Sequence, residues 1–112
     1  MNTGEKVRLE TIIYLQDMTG QVLLDSETET ERSFAGRVTL EMSVLRISEL
    51  LIHFSAEFKS KFPQINWLKI KEMRIEVEKL EKEIPFSEIW EFFKIEVPSI
   101  ISIINPKDEV LI

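Results

Sequence analysis

Few side chains in this 112-residue sequence have chemistry to offer at neutral pH. His53 is the lone histidine and cysteine is absent. A site needing two imidazoles, a thiolate nucleophile or thiolate metal ligands is thereby excluded, as is a disulfide. His53 has no Ser, Cys or second His at a useful spacing, so a structural or surface role is expected for it. The glutamate pairs Glu72/Glu76 and Glu83/Glu88 lack companion histidines. They read as solvated helix faces rather than a carboxylate-bridged metal centre. No metal and no cofactor is expected. Three glycines in the whole chain leave no phosphate-cradling or dinucleotide-binding loop.

Two charged features remain. Lys59, Lys61, Lys69, Lys71 and Arg74 surround the segment Phe62-Pro63-Gln64-Ile65-Asn66-Trp67, where cations outnumber anions. Such a cluster reads either as cations settled near a negative helix end or as a patch facing RNA, the former being the simpler expectation. Glu49 interrupts an otherwise apolar seam, and a carboxylate drawn into a core needs a cation or a backbone donor. It reads either as a half-exposed residue at the seam's edge or as the cross-helix or cross-subunit partner of Arg74. The aromatics Trp67, Trp90, Phe92 and Phe93 fall at helical spacing and are expected in the core rather than stacked on bases.

The elements that position these groups are helices. Leu9, Ile12, Ile13, Leu15, Met18 and Val22 recur at helical spacing and predict a first helix over about Glu5–Leu24, weakened by Gly20. A polar, acidic connector follows over residues 25–31. The second helix, about Phe34–Phe62, is the longest and carries two seams. Leu40, Val44, Ile47, Leu51, Phe54 and Phe58 form one; Val38, Met42, Leu45 and Ile52, interrupted by Glu49, form the other. A helix apolar on two sides needs cover on two sides. Met42, Leu45, Glu49, Ile52 and Arg74 are therefore the candidate interface residues. Pro63 ends this helix. Ile70, Met73, Val77, Leu80 and Ile84 predict a third, with Glu78 and Lys82 as an ion pair four residues apart. Pro85 opens a fourth, Phe86 to about Ile104, with a kink or restart expected at Pro98. Residues 105–112 begin Asn-Pro and read as an irregular tail.

The expected architecture is an all-α, antiparallel four-helix bundle with a long central second helix, one domain over residues 1–112. The chain is 44% hydrophobic and 30% charged, values of a soluble globular protein. No run is long and apolar enough to span a membrane, and the charged start has no hydrophobic signal core, so a cytoplasmic location is expected. The net charge of −6 disfavours tight non-specific binding of nucleic acid.

The order of short motifs resembles the HepT-like (HEPN) ribonuclease-toxin family. The long helix carries Ile47-Ser48-Glu49 and Ser55-Ala56-Glu57-Phe58. Phe62-Pro63-Gln64-Ile65-Asn66-Trp67 is similar to the family's proline-bearing turn, Met73-Arg74 to the start of its catalytic motif, and Ile89-Trp90-Glu91 with Val97-Pro98 to its ending. The resemblance implies a HEPN-like bundle, a cleft between two subunits, metal-free RNA cleavage by Arg and His, and silencing by a nucleotidyltransferase partner that modifies a Tyr. Arg74 matches the family's Arg. The following Asn position holds Ile75, the His position Lys79 and the Tyr position Glu81; Met42-Ser43 stand where an Arg-Asn pair is often seen on the long helix. A lysine near its ordinary pKa of ~10.4 stays protonated and cannot act as a base at neutral pH. What is expected is a non-catalytic HepT-like homodimer partnering a MNT-type nucleotidyltransferase in a toxin–antitoxin-like module. The alternatives are an active metal-independent RNase using Arg74, or an unrelated helical adaptor.

Overall fold

The computed structural model describes residues 1–79 and 84–105, which are helical apart from caps and turns, with no strand among them. Each helix starts on a readable signal. In α1 (Thr3–Val22) the Glu5 N–H donates to Asn2 Oδ1 (2.8 Å) while the Asn2 N–H donates to Glu5 Oε1 (2.9 Å), a reciprocal box that satisfies two otherwise orphan donors. Ser26, Ser33 and Ser55 cap α2 (Glu27–Arg32), α3 (Phe34–Ile52) and α4 (Ala56–Ser60), each hydroxyl accepting from the N–H three residues on. Asn66 Oδ1 accepts from the Lys69 N–H at the start of α5 (Trp67–Lys79).

Two expectations need correction, and a third is met in a form the sequence did not specify. The acidic connector is not irregular throughout, because Ser26 nucleates the short α2 within it. The second helix does not run unbroken to Phe62. It ends at Ile52, and α4 restarts under the Ser55 cap. The carbonyls of the last α3 turn explain how the break is tolerated. Glu49 O meets His53 Nδ1, Leu50 O accepts from Arg8, Leu51 O from the Phe54 N–H and Ile52 O from Lys59 Nζ. Every exposed acceptor of the helix end is thus taken, two of them by cations that also suit its negative dipole end. The fourth helix does restart beside Pro98, which lies in the first turn of a new α-helical stretch, but the join is a π-helical turn. It passes from α6 (Phe86–Glu91) through a π-helical turn (Phe92–Glu96) into α7 (Val97–Ile104). The wider turn makes room for the Pro98 ring, and the Val97 N–H bonds back to Phe92 O. Leu80, the Glu78–Lys82 pair, Glu83 and the tail after Asn105 lie outside the described residues.

The first seam packs as expected across the break. Leu40, Val44, Ile47 and Leu51 are fully buried, and Phe54 and Phe58 nearly so, stacked with centroids 4.1 Å apart. Around this seam α3 holds α1 on one side and α5 on the other, with α6 and the π turn laid over it. Helix α1 runs antiparallel to α3, tied by Arg8 at Leu50 O and by a 2.7 Å hydrogen bond between Thr19 and Ser43. Phe92 and Phe93 are buried in the same core, and Trp67 and Trp90 are half-buried against it. Among the described residues no helix is long and apolar enough to cross a membrane.

Candidate functional site

The later part of the second seam, Leu45 to Ile52, lies at the junction of α3 with α5, and this junction gathers Glu49, His53 and Arg74. Leu45 and Ile52 are half-buried against the core. Glu49 between them accepts a hydrogen bond from Arg74 Nε through Oε2. Arg74 is thus the cross-helix partner of Glu49 within one chain. Its Nη1 lies 3.0 Å from Glu78 Oε2, one turn along α5. The hydrogen bond to Glu49 holds the Arg74 guanidinium further above its already high pKa, against a smaller opposing effect of burial, with both carboxylates adding to the field. One cation thus serves two anions.

His53 enters the same cluster from the end of α3. Its Nδ1 lies 2.8 Å from the Glu49 carbonyl oxygen and 3.8 Å from Glu49 Oε1. A carbonyl only accepts, so Nδ1 carries the proton and the neutral ring keeps its lone pair on Nε2. The Glu49 carboxylate consequently sits between an imidazole and a guanidinium. Their meeting was readable only in part: Glu49–His53 and Arg74–Glu78 are each four residues apart on a helix, but the packing of α3 on α5 joins the pairs.

The basic cluster does not form one free patch. Lys59 is committed to Ile52 O and lies over the Trp67 ring, Lys69 pairs with Glu96 at 3.0 Å, and Arg74 is held as above. Lys61 and Lys71 are exposed. Of the family-equivalent positions, Lys79 is exposed on the last turn of α5, and Glu81 lies outside the described residues. The interface candidate Met42 is 55% exposed. No group of three or more His, Cys, Asp or Glu suited to a metal occurs among the described residues.

The larger concavities lie elsewhere, among residues that the sequence did not mark as a site. A cleft of about 290 Å³ is lined by Arg37, Glu31, Glu41 and Glu76 above Val77 and Phe86. An open groove of about 920 Å³ runs between α1 and the last helix, floored by Ile13, Phe93 and Ile101 with Gln16, Asp17 and Lys94 at its sides. No family model matches the chain, and neither a curated protein nor a solved structure matches it.

Proposed function

We propose that this chain is a non-catalytic, cytoplasmic HepT-like bundle of antiparallel helices. In this reading it acts as the homodimeric partner of a MNT-type nucleotidyltransferase in a toxin–antitoxin-like module. The motif order across Ile47–Ile100 supports the family, and the state of Arg74 supports the loss of chemistry. Arg74 is the one side chain retained from the catalytic motif, and its Nε and Nη1 are already spent on Glu49 and Glu78. A phosphate approaching the remaining Nη2 would meet two carboxylates already held at the same guanidinium. The position of the proton-transferring His holds Lys79, exposed on the last turn of α5, so the imidazole of the motif is absent. Binding a phosphate without a group to move protons gives little acceleration.

The test is incubation of RNA with the purified protein, its Arg74→Ala variant, and a Lys79→His/Glu81→Tyr variant. The parent is expected to leave RNA intact. Cleavage that appears only in the double replacement marks a lapsed ribonuclease whose scaffold still positions the motif. Robust cleavage by the parent, lost in Arg74→Ala, overturns the proposal. Purification from the native operon with mass analysis of whatever accompanies the chain tests the nucleotidyltransferase partnership, and a neighbouring nucleotidyltransferase gene separates this reading from an unrelated helical adaptor.

One observation favours a second reading, an active metal-independent RNase using Arg74. His53 reaches the same Glu49 carboxylate that holds Arg74, so an imidazole with a free Nε2 and a guanidinium share one surface. In that case cleavage by the parent falls in His53→Ala as well as in Arg74→Ala.

A further inference from the structure

The outward sides of α1 and α3 carry one apolar patch. Tyr14, Met18 and Val22 repeat every four residues along α1 and are 62%, 45% and 65% exposed. On α3, Met42 is 55% exposed and Val38, one turn before it, 39%. The Thr19–Ser43 hydrogen bond pins the helices at this height. Met18 and Met42 each precede a member of that bond by one residue, and both step off the seam onto the outward side. The five side chains leave on the order of 500 Å² uncovered, near the upper end for a monomer's largest apolar patch. That is more than half of the roughly 800 Å² each partner contributes to a standard interface.

Charge makes the patch self-complementary. Arg46, one turn beyond Met42, has no carboxylate within 4.0 Å among the described residues, and the exposed Glu10 no cation. Arg8 at Leu50 O and Thr19 at Ser43 set the register, which places Arg46 level with Tyr14. A twofold axis parallel to the two helices lays α1 of each copy over α3 of the other at unchanged height, as antiparallel neighbours. Tyr14 then faces Arg46 of the partner subunit, with Glu10 one turn away. We infer that a second copy of this chain docks on the α1–α3 face, centred on Met18 and Met42, with Glu10 and Arg46 as its reciprocal charge pair. The inference rests on the homodimeric reading above and names the face it uses.

Light scattering and sedimentation at tens of micromolar test it. The parent is expected to be a dimer. Met18→Lys/Met42→Lys is expected to weaken the dimer at least about tenfold, or ~1.4 kcal/mol, with its helical circular dichroism unchanged. Arg46→Glu is expected to weaken it and added Glu10→Arg to restore it, a rescue that a merely structural role for either residue would not give. The chain has no cysteine, so Met18→Cys and Met42→Cys variants, mixed and oxidised, are expected to form a disulfide-linked dimer if both fold. A dimer untouched by Met18→Lys/Met42→Lys but dissolved by Leu68→Lys/Ile75→Lys puts the partner on α5. That result overturns this face and leaves the homodimeric reading standing. A parent that is monomeric overturns both.

Discussion

At the scale of single residues, a backbone acceptor explains an otherwise unremarkable glutamine. In the π turn the Phe93 carbonyl would receive its hydrogen bond from residue 98, which is Pro98 and has no N–H to give. Gln16 Nε2 of α1 donates to that oxygen at 2.6 Å. Leaving a part-buried carbonyl unpaired costs about 1–2 kcal/mol. Gln16→Leu is therefore expected to lower the unfolding free energy by that amount, read as a lower urea midpoint with the m-value unchanged. In a Pro98→Ala background the backbone supplies its own N–H, so the same substitution should cost markedly less. A double-mutant cycle measures the difference, and strict additivity would refute the clasp. Arg74 makes the same point for charge: its chemistry is set by what already occupies it, which its place in a motif does not disclose.

At the scale of helices, two glycines of one chain should answer oppositely to the same change. Gly20 lies inside α1, and a Cβ there would meet nothing within 4 Å. Gly20→Ala is expected to stabilise the protein by about 0.5–1 kcal/mol, since glycine in a helix interior loses more backbone freedom than alanine. At Gly36 a Cβ would stand 2.9 Å from the Thr30 carbonyl oxygen and 3.2 Å from Thr30 Cγ2. That close approach is where α2 folds onto the first turn of α3. Gly36→Ala must push the helices apart, and about 1–3 kcal/mol of destabilisation is expected. Thermal melts of the two variants check both signs. The cations Arg8 and Lys59 act at this scale too. By satisfying the carbonyls at the end of α3 they allow the chain to turn at His53 while Phe54 and Phe58 continue the seam beyond the break.

At the scale of the molecule, the field and the fate of the cations point the same way. The net charge is −6, and Lys59, Lys69 and Arg74 are each committed to an oxygen acceptor of the chain. A negative field gains nothing from counterion release on RNA. Fluorescence anisotropy with a labelled single-stranded RNA at roughly 0.15 M salt is expected to show no saturable binding at tens of micromolar protein. Saturable binding abolished by changing Lys61 and Lys71 to Glu would instead expose a basic patch that the two lysines suffice to make.

Much was legible in the residues alone. Helical periodicity foretold the buried Leu40–Phe58 seam, since apolar side chains three and four apart must share a face whatever covers it. The caps at Ser26, Ser33 and Ser55 came from the structure, and the apolar rhythm of the seam runs across Ser55 with no sign of the break there. Glu49 announced itself as a carboxylate in need of a cation, and Arg74 was among its candidates. Tertiary packing decided what periodicity has no means to encode. It chose the chain's own α5 as cover for Leu45 and Ile52, left Met42 outward, and brought His53 to the carboxylate that holds Arg74. It also sent Gln16 across from α1 to a carbonyl orphaned by a proline 82 positions later in the chain. The physical reason is one of range. Spacing along a helix settles which side chains share a face, whereas the neighbour on that face is set by how distant helices pack against one another.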